Sequence, residues 1–285
     1  MAARAGAEPA PARERGALRI VGAHGGSRTL RDLQARMVEC RACPRLVAWR
    51  EEVARVKVRR FSEHTYWARP VPGFGDPAAR LVLVGLAPAA HGGNRTGRMF
   101  TGDRSGDFLF AALHRAGFAN QPQSVHRHDG LRLRDAFIVA PCRCAPPANV
   151  PRPDELRRCS SWLDRELALL PRARILLALG AVGWDAALQH FARRGIPVPR
   201  PRPRFGHGAV ARLPGAPALL GSYHVSQQNT NTGKLTPRMM DEVLTLARDL
   251  LRTDGLEQSD HRGAAERAED PKRKPPRSPR LRGDH

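Results

Sequence analysis

The sequence predicts an α/β fold of three layers, α/β/α, around a central four-stranded parallel sheet. Three observations carry this. Four apolar runs, Leu81–Leu86, Ala136–Ala140, Ile175–Leu179 and Ala218–Tyr223, have the near-continuous hydrophobicity of strands buried on both faces. Segments of helical periodicity alternate with them, which implies parallel strands joined by crossover helices on both sides of a sheet. The polar, glycine-rich stretch Gly85–Asp103 lies just after the first run. It far exceeds the usual strand-to-helix connection of about 2–6 residues, and it sits where open α/β sheets hold their ligands.

The elements follow in order. Residues 1–28 are rich in Ala, Gly, Arg and Pro without sustained period and are expected to form a disordered tail. The body runs from 29 to 252, long enough for one core. Leu30, Leu33, Met37 and Val38 recur at helical spacing, so a helix is expected from Thr29 to about Cys40. Cys40 and Cys43 follow as C-x2-C, and Pro44 stops a helix there. A second helical patch holds Leu46, Val47, Trp49 and Val53. Tyr66–Asp76 mixes aromatic, Pro and Gly residues and reads as a structured loop.

Asp103 and Ser105 precede the apolar Phe108, Leu109, Ala112 and Leu113, which marks a helix over about Arg104–Ala116. Asn120–Gly130 is polar and His-rich, a surface loop. Pro153, with Asp154 and Glu155 in the first turn, opens a helix whose apolar face is Leu156, Cys159, Leu163, Leu167 and Leu170. After the third strand come Gly180 and a helix with Val182, Ala186 and Phe191, then a Pro/Arg-rich linker, Pro197–Arg204. Thr236 caps the last helix with Pro237 at its first position and Met240, Val243, Leu244 and Ala247 inside. Residues 253–285 are charged and Pro-rich and are expected to form a disordered basic tail.

The formal net charge is +21, which points to a polyanionic partner, most often nucleic acid. Arginine supplies nearly all of it, for the only lysines are Lys57, Lys234, Lys272 and Lys274. No apolar segment reaches the ~20 residues of a membrane span, and the N-terminus lacks the apolar core of a signal peptide. A cytosolic place is expected, where disulfides are rare. The five cysteines, Cys40, Cys43, Cys142, Cys144 and Cys159, are then better suited to metal than to disulfides. Four thiolates serve either Zn²⁺ or an iron–sulfur cluster. One of Cys142 and Cys144 is the spare of such a set, and Cys159 on a helix's inner face is alternatively plain core.

Three motifs in order carry a family resemblance: GLAPAAHGGNRTGRMFTGD (Gly85–Asp103), CAPPAN (Cys144–Asn149) and HVSQQNTNTGKLTP (His224–Pro237). Together they resemble the uracil-DNA glycosylase superfamily, most closely its family 5, or type B, over about Leu33 to Leu251. Val225 departs from the proline usual in that motif. The resemblance implies a structural [4Fe–4S] cluster held by Cys40, Cys43, Cys144 and Cys159, with Cys142 spare. It implies a glycosylase that hydrolyses the N-glycosidic bond of uracil in DNA, in base excision repair. With only Lys57 and Lys234 in the body and neither in a lysine-activating pocket, a monofunctional enzyme that leaves an abasic site is expected. The protein would be a monomer working on DNA in the bacterial cytosol, drawn to the nucleoid.

The chemistry asks for a carboxylate to orient water and stabilise an oxocarbenium-like sugar. The resemblance gives that to Asp103; Asp107, a helical turn on, reads better as a first-turn acid. His224 would donate to the departing base, and Asn149 would stand near the base or water. Phe100 would stack on the flipped base, against the peptide at Gly85 and Ala87. Ser226 and Lys234 would touch phosphates, and Gln228–Lys234 would wedge the duplex. An Asn that reads uracil in a stricter related family aligns near Ala140, so hypoxanthine and etheno-cytosine are expected as further substrates. The main alternative is a non-catalytic iron–sulfur DNA-binding module of the same fold; a zinc nuclease is a weaker third. Asp103→Ala separates the first two, since only an enzyme loses excision while keeping DNA affinity.

Overall fold

The structure, a computed structural model, describes residues 29–268, with side chains as far as 253. The N-terminal tail and residues beyond 268 lie outside it. Six strands form one sheet: β1 (Phe74–Gly75), β2 (Leu81–Val84), β3 (Ala136–Val139), β4 (Ile175–Leu179), β5 (Val210–Ala211) and β6 (Ala218–Ser222). Their order is β1-β3-β2-β4-β6-β5. The four expected strands are the parallel centre, paired Leu81↔Ala136, Leu81↔Ile175 and Ile175↔Ala218. The sheet is nonetheless mixed, because the two-residue strands β1 and β5 pair antiparallel at its edges. Part of the predicted Tyr66–Asp76 loop is therefore β1.

Among the described residues eight α-helices accompany the sheet: α1 (Leu30–Met37), α2 (Pro44–Val56), α3 (Gly93–Thr96), α4 (Arg104–Arg115), α5 (Pro153–Ala168), α6 (Ala181–Arg193), α7 (Gln227–Asn231) and α8 (Pro237–Ala268). Alternation along the strands divides the core. Leu81, Leu83, Ile138, Ile175 and Leu177 pack with Leu109 and Leu113 of α4 and Leu244 and Ala247 of α8. Val82, Val84, Leu176 and Ala178 face the other way, toward Leu163 of α5 and Trp184 and Phe191 of α6. That is the three-layer arrangement. The last helix runs on to Ala268, past the boundary at 252 read from sequence.

The cap expected at Thr236 holds, and Thr29 caps α1 as well. Thr29 accepts from Asp32 N at 3.1 Å and Thr236 Oγ1 accepts from Met239 N at 3.2 Å. α6 turns one face to the sheet. Gly183, Trp184, Ala187, Leu188 and Phe191 are buried, whereas Val182 is 39% exposed and Ala186 only partly covered. A Cβ on Gly183 would strike the carbonyl of Val84, so the helix crosses the sheet at a distance only glycine permits.

Candidate active site

Three loops leave the carboxyl ends of β2, β3 and β6, and each carries one of the motifs. The first is anchored by Gly85 N, which donates to Val139 O at 2.9 Å. It then makes the single turn α3 and ends at Asp103, the N-cap of α4, whose Oδ1 accepts from Gly106 N at 2.9 Å. The other oxygen lies against Gly92, where any Cβ would collide with it. Burial pushes the Asp103 carboxyl above the ordinary aspartate value, the Gly106 N–H opposes this, and Asp107 adds to it. Asp107 itself is exposed.

Phe100 has φ +49°, an uncommon conformation for a bulky residue. Its ring lies over Gly85, where a Cβ would meet Cζ at 3.1 Å. His224 is also its neighbour, the ring centroids 6.4 Å apart. Gly85 is buried and Phe100 and His224 partly buried. Burial lowers the His224 pKa, so the imidazole is neutral at neutral pH. Its carbonyl accepts from Asn229 Nδ2 at 2.8 Å, which ties strand end to α7. Asp103 and Gln227 both line a cleft of about 670 Å³, together with Arg60, His64, Arg95 and Arg104. The first and third loops thus meet at one end of the sheet.

The remaining predicted residues differ in placement. Asn149 is exposed, with φ +59°, in a 3₁₀ turn over Pro147–Asn149. Ala87 packs with Leu46, Cys142 and Cys144, on the cysteine side of the loop. Ser226 caps α7, its hydroxyl accepting from Asn229 N at 3.4 Å. The wedge segment is half helical, α7 occupying its start. Lys234 is exposed, with Nζ 5.3 Å from the Tyr223 ring centroid. Val225, the departure from the motif, is wholly buried in the main core.

Cys40, Cys43, Cys144 and Cys159 line one cavity, with Arg143 and Trp162 among its walls. Cys142 is not part of that lining, but its thiol lies beside Cys159 and donates to Cys144 O at 3.3 Å. Burial, then Cys159 and Cys40, pushes the Cys43 thiol up to about 11. Burial pushes Cys144 up to about 12 against the pull of Arg50. Among the described residues no three His, Cys, Asp or Glu side chains converge closely enough for a single metal ion.

Sequence reasoning missed several residues here. Arg95 is buried and donates to His91 O at 2.8 Å and Gly102 O at 3.0 Å. Tyr66 Oη and His91 Nδ1 share a hydrogen bond of 3.0 Å. Arg50 and Arg143 are buried beside the cysteines. Composition treats arginine as surface; the only signal available was the position of Arg95 inside a motif.

Comparison with known proteins decides the family. The model of the uracil DNA glycosylase superfamily matches residues 72–248. The chain belongs to that superfamily. Its members are hydrolases acting on the N-glycosidic bond of DNA. The chain is 55% identical over 214 residues to the type-5 uracil-DNA glycosylase of Thermus thermophilus, covering 75% of this chain and 94% of that one. It is 46% identical over 216 residues to the type-5 enzyme of Pyrobaculum aerophilum, 76% of this chain and 91% of that one. To the type-4 enzyme of the same organism the identity is 32% over 132 residues, 46% and 59% of the two chains. Within the superfamily the chain groups with type 5. The fold expected of it, parallel sheet between helical layers, is the one described above, with two edge strands added. No helix of the described residues is long and apolar enough to cross a membrane.

Proposed function

We propose that this chain excises uracil, and hypoxanthine as well, from DNA by hydrolysis, leaving an abasic site for base excision repair. The observation that carries this is the ring of Phe100 beside both Gly85 and His224, with Asp103 three residues on in the lining of a basic cleft. A nucleobase must leave the stack to react, at a cost of a few kcal/mol. An aromatic face beside a bare glycine peptide offers it a slot.

Asp103, ionised, orients the attacking water and stabilises the cationic sugar. Its Oδ1 is held by the Gly106 N–H, so the other oxygen is the one presented to water. Negative charge gathers on the departing base. His224, kept neutral by burial, carries one N–H for it and acts as donor without giving up a full charge. Asn149, on an exposed turn, closes over the base from the β3 side. Ser226 and Lys234 meet phosphates. Strand cleavage would need a lysine made nucleophilic by a dry pocket. Lys57 is tied to Ser62 O at 2.8 Å and Lys234 is exposed, so the enzyme is monofunctional.

Relaxed base choice rests on Ala140, buried at the end of β3, which has no polar group to read uracil. A structural [4Fe–4S] cluster is proposed at Cys40, Cys43, Cys144 and Cys159. The donor set fits: four sulfurs line one cavity, and Cys142, beside Cys159, is not among its lining residues. A cluster keeps its ligand sulfurs apart around several irons, unlike a single ion. When bound it clamps the C-x2-C segment to α5 and the CAPPAN loop. The protein works as a monomer on the nucleoid.

The test is incubation with uracil- and hypoxanthine-containing duplexes, then alkali. Product cut only after alkali is expected from both. Cutting without alkali, or intact uracil strands, overturns the assignment. Intact hypoxanthine strands alone overturn the relaxed specificity.

A further inference from the structure

Two guanidinium groups lie buried against the cysteine cavity, Arg50 at 2% exposure and Arg143 at 1%. A buried cation is costly unless an anion answers it. Arg143 has the carboxylate of Glu166. Arg50 has no such partner within ion-pair distance among the described residues. Its Nη1 donates to Cys144 Sγ at 2.9 Å, and Nη1 and Nη2 both reach Cys40 O at 3.3 Å. Its Nε is buried with no acceptor. A neutral thiol answers a guanidinium poorly; a metal-bound thiolate answers it well.

The other end of the same residue points into the catalytic loop. Arg50 O accepts from Asn94 Nδ2 at 3.1 Å, and Asn94 is fully buried in α3. The backbone of α3 is held in turn by Trp67 N, which donates to Arg95 O at 2.9 Å, and Ala68 N, which donates to Asn94 O at 3.0 Å. Arg95 follows Asn94 directly and donates to Gly102 O at 3.0 Å, the carbonyl just before Asp103. Three residues therefore span from a cysteine sulfur to the peptide that presents Asp103.

We propose that Arg50 is a positioning residue with two ends. Its guanidinium donates to the sulfur that Cys144 gives an iron–sulfur cluster, and its carbonyl, through Asn94 and Arg95, holds the loop that presents Asp103. This rests on the cluster reading above. Two consequences are separable. A cation and an N–H at a ligand sulfur favour the more negative, reduced cluster, so Arg50 raises the reduction potential. And Asn94 transmits the tie to the active site, so its loss slows excision without touching the cluster.

The test compares full-length wild type, Arg50→Met, Arg50→Lys and Asn94→Ala, each purified without oxygen. Iron and sulfide content, reduction potential and single-turnover uracil excision are measured. Arg50→Met is expected to shift the redox equilibrium at least tenfold toward the oxidised cluster, 59 mV for one electron, and to slow excision. Arg50→Lys keeps the charge but not the fork, and is expected to shift the potential in the same direction by less. Asn94→Ala is expected to keep the wild-type potential and slow excision about tenfold. Should Arg50→Met fail to fold, Arg50→Lys and Asn94→Ala read the same two ends. Wild-type potential in the Arg50 variants with the cluster retained overturns the first end. Wild-type excision in Asn94→Ala overturns the second. Wild-type protein lacking iron and sulfide overturns the cluster reading and this proposal with it.

Discussion

At the scale of single residues, the site depends on what is missing as much as on what is present. Gly92 lies under the Asp103 carboxylate, and a methyl there would displace Oδ2. That oxygen ends a movable side chain, so Gly92→Ala is expected to cost little stability and much rate. Excision should fall about 10²-fold or more, as for lost charge stabilisation or proton transfer, while the melting temperature moves by a few degrees only. Equal loss of melting temperature and rate would make the glycine structural. Asp103 also sets a pH signature. In the proposed mechanism the reaction needs its ionised form, and burial raises its pKa. The rate therefore falls as pH drops through that raised value, above the ordinary ~3.9. The acid limb of kcat/KM is expected at higher pH than for a free aspartate and should vanish in Asp103→Asn, whose residual rate is lower by about 10²–10⁴. A limb unchanged in Asp103→Asn would assign the ionisation elsewhere.

At the scale of elements, the loop Asn120–Gly130 is less passive than its polar sequence suggests. Arg98 and Asp129 form a buried pair at 2.6 Å, with side chains 4% and 8% exposed. Arg98 also reaches Thr101 Oγ1 and Ser124 Oγ, both at 2.9 Å, so the loop braces the segment leading to Asp103. Burial pushes the Asp129 carboxyl upward, but Arg98 and the N–H groups of Leu131 and Val125 outweigh it and hold the pKa well below the usual range. A depressed folded pKa gives stability that is full above the unfolded ~3.9 and is lost as pH falls toward the folded value. Asp129→Ala is expected to cost about 3–5 kcal/mol near neutral pH, the range for breaking a buried pair. Urea unfolding should show that gap narrowing as pH drops below ~4; a gap that does not change with pH would mean the loss is one of packing. The central strands were legible because burial on both faces leaves an unbroken apolar run. The edge strands Phe74–Gly75 and Val210–Ala211 were not, since two residues hold no period and pairing is decided by the neighbouring strand. The approach of α6 to the sheet was not legible, because Gly183, which lies against the carbonyl of Val84, has no side chain to register. Asp103, Phe100 and His224 were legible only through their motifs. The buried arginines were not, because nothing in a sequence marks an arginine whose partner is a sulfur or a carbonyl far along the chain.

At the scale of the whole molecule, a formal charge of +21 must express itself against a polyanion. Each phosphate neutralised releases counterions, so log affinity falls linearly with log salt, with a slope of about −0.9 per contact on duplex DNA. The cleft beside Asp103 carries Arg60, Arg95 and Arg104. They are not equivalent. Arg95 is buried and committed to carbonyls of its own loop, whereas Arg104 is exposed, and Arg60 is exposed with its guanidinium 4.6 Å from the Phe61 ring centroid. Only the exposed pair is free to meet phosphate. Arg60→Ala and Arg104→Ala are each expected to flatten the salt slope by about one and to leave excision at saturating DNA nearly unchanged. Asp103→Asn should keep the full slope while losing rate, because catalysis and attraction reside in different groups. Binding titrations at several salt concentrations decide this. An unaltered slope in both arginine variants would move the phosphate track off this cleft, and with it the route by which a strand reaches Asp103.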